Sequence, residues 1–305
     1  MNEKIARPTP APKQIPYKPV TSPVSHGGLR DQLKGIGYND GMAMVSPGGP
    51  QSGSGPANGA PTEAPDKFEG ATLWAKDAKG KDLAPAPEDV TQGTLGDCYL
   101  MSAMAGLANT RPQKLQSAIT DKGGDKYEVE FAGIGKFLGF GTATQTVTAA
   151  FEHGKHAYMG PRNALWPLVI EKAYAAEKGG IEKIAHGGDP AKATHALTDE
   201  SVSGFDPRKT DPDEILVKIE KGKARKSVMT CYGREKEGAS DEKKKIADGS
   251  GLYFNHAYTI MDVDRKGRSI KLRNPWGHSH PYGTGWLPVD EFKAFFIQTD
   301  ISSGV

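Results

Sequence analysis

Asp97-Cys-Tyr-Leu-Met-Ser-Ala-Met-Ala-Gly-Leu-Ala108 places Leu100, Met104 and Leu107 at helical spacing, with no β-branched residue to disturb the turn. The spacing predicts a buried helix that begins at Asp97 or Cys98. A cysteine in that first turn faces the positive end of the helix dipole and unpaired backbone N–H groups, both of which favour a thiolate. Only the thiolate attacks acyl groups, and a free cysteine with a pKa near about 8.5 holds little of it at neutral pH. Cys98 is therefore a candidate nucleophile in need of a base.

Working outward, Trp166 to Lys178 reads as a second helix, with Pro167 in its first turn, Ile170 and Tyr174 on one face and Gly179 to end it. Between the two helices, Lys126-Tyr-Glu-Val-Glu-Phe131 and Gln145-Thr-Val-Thr-Ala-Ala-Phe151 alternate as half-buried strands do. A third helix is signalled by Asp211 as N-cap, Pro212 at the first position, Glu214 completing a capping box and Gly222 at the end. Beyond it, Ser227 to Tyr232, Ala257 to Val263 and Ser269 to Arg273 read as strands. Helices early and strands late predict an α+β protein of two lobes, 68–210 and 211–305, with the site in the cleft between them.

Of the eight histidines, His256 stands at the head of a strand in Phe254-Asn-His-Ala-Tyr-Thr-Ile260, where a rigid element holds the ring. His278 and His280 lie among Gly, Ser and Pro and are expected to be exposed loop residues. A base needs its tautomer fixed by a partner on the other ring nitrogen. Asn274, in Leu272-Arg-Asn-Pro-Trp-Gly277, leaves the next strand at the end of the hairpin that reaches this ring, and Trp276 is placed to shield the bond. Gln92, separated from Cys98 by Gly93 and Gly96, is the candidate oxyanion donor beside the Cys98 backbone N–H.

Thr91-Gln-Gly-Thr-Leu-Gly-Asp-Cys-Tyr-Leu100, Asn255-His-Ala-Tyr258 and Leu272-Arg-Asn-Pro-Trp-Gly277 together resemble the calpain family of papain-like cysteine proteases, in a bacterial form. Glu171-Lys-Ala-Tyr-Ala175, Val228-Met-Thr-Cys231 and the segment from Trp286 to Phe296 are similar to further parts of that family's core. The resemblance covers roughly Phe68 to Ile297. It implies a papain-like fold, a helical lobe carrying the nucleophile and an antiparallel β lobe carrying His and Asn. It also implies Cys98 as nucleophile, His256 as general base and acid, Asn274 as orienter and Gln92 as oxyanion donor. Position 99 is Tyr where the family usually has Trp. Asp89 falls where the family has a calcium ligand, so calcium stays open as a cofactor while none is required by the chemistry. Asp262-Val-Asp-Arg-Lys-Gly267 is not an EF-hand loop, because Arg273 stands where the bidentate Glu belongs.

The net charge of +2 gives no electrostatic argument for nucleic acid. Cys98 and Cys231 are the only cysteines, which excludes a disulfide scaffold and a paired-cysteine zinc site, and Cys231 reads as an inert strand residue. No apolar run is long enough for a membrane span, and the N-terminus lacks a signal peptide's apolar core. Residues 1–67 are rich in Pro, Gly and Ser and are expected to form a disordered leader ahead of a catalytic domain at 68–305. Within it, residues 28–47 resemble a segment found ahead of toxin-like domains in proteins loaded into contractile injection systems. That similarity implies a secreted effector or toxin, with secretion machinery as a partner, cytoplasmic in its producer and delivered without a signal peptide.

The expected activity is that of a cysteine endopeptidase acting on protein or peptide substrates. The same triad also serves transglutaminases and deamidases, and the cleft alone would serve a non-catalytic binding module. Substrate specificity is not encoded in any motif.

Overall fold

The computed structural model describes residues 68, 70–135, 141–151, 156–233 and 237–305. The leader expected over 1–67, with its segment at 28–47, lies outside them.

The first part of the described chain contains β1 (Val90–Thr91), α1 (Cys98–Thr110), α2 (Pro112–Ala118), β2 (Ile119–Gly123), β3 (Lys126–Phe131), β4 (Ala143–Thr148), β5 (Tyr158–Met159), α3 (Trp166–Lys178) and α4 (Pro190–Thr198). Strands β2, β3 and β4 form an antiparallel sheet, and β1 pairs with β5. A first core gathers Leu100, Met104, Leu107, Phe131, Trp166 and Tyr174. Both long helices follow their sequence signals: α1 begins at Cys98, and α3 ends at Gly179, whose φ of 91° is the left-handed conformation that glycine adopts without strain.

The second part contains β6 (Val202–Phe205), α5 (Pro212–Ala224), β7 (Met229–Gly233), α6 (Asp241–Ser250), β8 (His256–Asp264), β9 (Ser269–Arg273), β10 (Trp286–Pro288), α7 (Val289–Phe295) and β11 (Gln298–Ser302). Its sheet runs β10-β9-β8-β7-β11-β6 with every neighbouring pair antiparallel. A second core packs Ile215, Ile219, Tyr258, Leu272, Phe292 and Phe296 against one another. The architecture is the α+β arrangement expected, with two differences. Strand β6 pairs with β11, so residues 202–205, ahead of the expected boundary at 211, belong to the second sheet. Gly222 lies inside α5 instead of ending it, because a Cβ there would stand 2.6 Å from Met229 Sδ; the glycine permits close packing. Asp211 caps α5 by accepting the N–H groups of Asp213 and Glu214, while the Glu214 carboxylate pairs with Lys218.

Helix α1 joins the two lobes. Thr259 on β8 donates its hydroxyl to the Ser102 carbonyl at 2.8 Å, and Asn109 donates to the Met261 carbonyl at 3.2 Å. Helix α1 thereby lies along the strand that begins with His256.

Candidate active site

Residues 274–277 form the turn that leaves β9, and three contacts decide its chemistry. His256 Nε2 lies 2.9 Å from Asn274 Oδ1. The Trp276 backbone N–H donates to that same oxygen at 3.0 Å, and Asn274 Nδ2 donates to the Ser279 carbonyl at 3.3 Å. A backbone N–H can address only an acceptor, so Trp276 fixes which end of the amide is oxygen. Nε2 must then be the protonated ring nitrogen, and Nδ1 is left with the lone pair that a general base needs. Asn274 is fully buried. The Trp276 ring packs on His256 with centroids 4.7 Å apart, and Tyr258 meets the imidazole edge-on at 5.0 Å, so water is kept from the His–Asn bond.

Cys98 is the first residue of α1 and is 8% exposed. Backbone N–H groups of Ala257, the residue after His256, and of the first turn of the helix act on its thiol in the direction of the thiolate. The nucleophile and the base are thus held by neighbouring backbone across the lobes. Electrostatics here differ from the sequence expectation. Burial pushes the Cys98 thiol up to about 12, overriding the N–H groups that favour the thiolate. Burial likewise lowers His256 to about 4 against the opposing effect of Asn274. Both shifts favour the uncharged form, of the thiol and of the imidazole alike.

Gln92 is buried, and its Nε2 donates to the Leu95 carbonyl at 2.7 Å. A carboxamide carries two N–H hydrogens, so one remains for an oxyanion. The Gln92 backbone N–H donates to the Pro275 carbonyl at 2.8 Å, and Arg273 reaches the Val90 carbonyl at 2.7 Å. These bonds sew the glutamine loop to the asparagine turn. Gly93 permits the loop's path, since a Cβ there would stand 2.0 Å from the His156 carbonyl oxygen.

Asp89 is fully buried and accepts the Trp166 indole N–H at 2.8 Å and the Ala86 N–H at 2.9 Å, with Arg162 Nε 3.3 Å from its other oxygen. The residue named by the calcium expectation therefore has an indole, a backbone amide and a guanidinium around it, while its Oδ1 accepts no hydrogen bond. Cys231 is a buried free thiol on β7, pushed further from ionisation by burial. His278 is exposed as expected, but His280 is half-buried and its Nδ1 accepts the Asn274 backbone N–H at 3.1 Å. Sequence reading missed this because spacing gives no sign that the loop folds back. It also missed Asp97, Glu171 and His156, which gather behind Cys98 in the first lobe.

The chain matches the family model described as calpain family cysteine protease over residues 80–291. It is 26% identical over 209 residues to calpain clp-4 of Caenorhabditis elegans, covering 65% of this chain and 28% of that protein. It is 28% identical over 215 residues to calpain-A of Drosophila melanogaster, covering 65% of this chain and 25% of that protein. With calpain-9 of Mus musculus the identity is 28% over 203 residues, covering 62% of this chain and 28% of that protein. The chain therefore spans about a quarter of the length of these curated relatives.

Proposed function

Because the chain belongs to the calpain family of cysteine proteases, whose core is papain-like, we propose that it is an endopeptidase working through Cys98, His256 and Asn274. The observation that carries this reading is the His256–Asn274 bond, with the amide oriented by Trp276 so that Nδ1 is the basic nitrogen.

With thiol and imidazole both neutral at rest, the sulfur is activated as it attacks. His256 Nδ1 takes the proton of Cys98 while sulfur bonds to the substrate carbonyl carbon. Negative charge then develops on the carbonyl oxygen, where the spare N–H of Gln92 and the Cys98 amide stabilise it. The imidazolium returns its proton to the leaving amine, and a peptide with a new N-terminus departs from a thioester. Water, deprotonated by the same nitrogen, hydrolyses the thioester and restores the thiol. Asn274 holds the ring in one tautomer throughout.

The test is incubation with an unfolded protein substrate, comparing the wild type with Cys98→Ala. New peptide fragments made only by the wild type support the endopeptidase. An amine adduct or a one-dalton change without fragments would assign the triad to acyl transfer or deamidation instead.

We also propose that the protease is a delivered effector or toxin, supported by the composition of residues 1–67 and the likeness of 28–47 to injection-system cargo segments. Tagged protein recovered from recipient cells, and lost when 28–47 is deleted, is the expected result; retention within producing cells would exclude delivery.

A further inference from the structure

Asp97 occupies the N-cap position of α1, where an aspartate ordinarily accepts the N–H of the second or third helical residue. Its side chain makes no such bond. It is completely buried, and neither carboxyl oxygen meets an ordinary donor. What it faces is the carboxyl of Glu171 on α3, also completely buried. Glu171 is well supplied as an acceptor: the Ala157 N–H approaches its two oxygens at 3.0 and 2.9 Å, and His156 Nδ1 lies 3.0 Å from Oε2. Two bare carboxylates cannot share this space, since like charges in contact away from water are strongly disfavoured. One proton between them turns the contact into a hydrogen bond. Because Glu171 already takes N–H donors, the proton belongs to Asp97.

Resting on the reading of Cys98 as nucleophile, we propose that Asp97 is a positioning residue that works as a neutral carboxylic acid: it donates its O–H to Glu171 and fixes the first turn of α1 without placing negative charge beside the sulfur. The groups facing Asp97 are Glu171 from α3, His156 from the stretch before β5, and Cys98 and Tyr99 from α1. Burial, followed by the charge of Glu171, drives the Asp97 carboxyl well above the usual carboxylate range, in keeping with the geometry. An ionised Asp97 would hinder thiolate formation at Cys98 directly. Glu171 thus takes the side-chain bond of Asp97, the Asp97 backbone carbonyl accepts the N–H groups of Leu100 and Met101, and those of Cys98 and Tyr99 are left for sulfur and oxyanion.

Two measurements test this. The infrared difference spectrum at pH 7 between wild type and Asp97→Asn should contain the carbonyl stretch of a protonated carboxylic acid; loss of carboxylate bands alone would overturn the proposal. Alkylation of Cys98 by iodoacetamide, read by peptide mass, should slow at least about tenfold in Asp97→Ala and return to within about threefold in Asp97→Asn, whose amide N–H replaces the acid O–H, tenfold being one unit of thiol ionisation. An Asn variant as slow as the Ala variant would show that the charge is needed, and an unaffected Ala variant would remove the positioning role. If Asp97→Ala does not fold, the spectrum and the Asn variant still decide. Wild-type alkylation of Cys98 no faster than that of Cys231 would instead defeat the nucleophile assignment, while the infrared band would still report on Asp97.

Discussion

At the scale of single residues, chemistry at this site depends on Asn274 being oriented before anything binds. Its oxygen receives two donors, His256 Nε2 and the Trp276 amide. Asn274→Ala frees the imidazole tautomer and leaves the Trp276 N–H without its acceptor. We expect kcat for peptide cleavage to fall by a substantial part of the roughly 10²–10⁴-fold that acid–base catalysis supplies, with KM little changed; steady-state kinetics check it. The resting ionisation makes a second prediction. Burial raises the Cys98 thiol to about 12 and lowers His256 to about 4, so the thiolate fraction grows with pH across the working range. Cys98 alkylation should therefore climb without a plateau from about pH 6 to about pH 9, whereas a standing ion pair would already plateau near neutrality.

At the scale of elements, α1 begins with Cys98 and β8 with His256, and the Thr259–Ser102 bond is a polar contact between the two elements. Thr259→Val keeps the shape and removes the bond, which should cost about 1 kcal/mol in chemical denaturation and lower kcat more than KM if the lobes shift. Much of this level is written in the chain. Capping by Asp211, the Pro167 start and Gly179 stop of α3, and the apolar spacing of α1 are local signals, and each gave its element. Helix α6 is not among the expected helices although its signals are of the same kind: Ser240 caps it, Asp241 and Glu242 fill its first turn, Gly251 ends it, and Ala247 packs inward. The candidate triad followed from residue types at element ends. The Asp97–Glu171 pair did not, since only tertiary packing brings the two carboxyls together.

At the scale of the whole molecule, the cross-lobe bonds from Gln92 to Pro275 and from Arg273 to Val90 make the two halves of the site one object. A second clamp lies away from it: Arg111 pairs with Glu200, which also accepts the Gly304 N–H near the end of the chain. Burial works to raise Glu200, but hydrogen bonds from Arg111 lead those that bring it down to about 2. A carboxyl depressed in the folded state adds stability above its unfolded pKa, about 4.3, and that stability is lost as pH falls toward 2. Glu200→Gln should cost about 3 kcal/mol at pH 7 by leaving the Arg111 charge buried without a partner, and the difference from wild type should shrink in melts at lower pH. The claim on which the rest depends is that Cys98 is made reactive by His256. Peptide mapping after exposure to a peptidyl epoxide inactivator tests it most directly: a single adduct on Cys98, abolished in His256→Ala while that variant stays folded, is predicted. Modification at Cys231, or an adduct on Cys98 that forms equally fast without the imidazole, would contradict it.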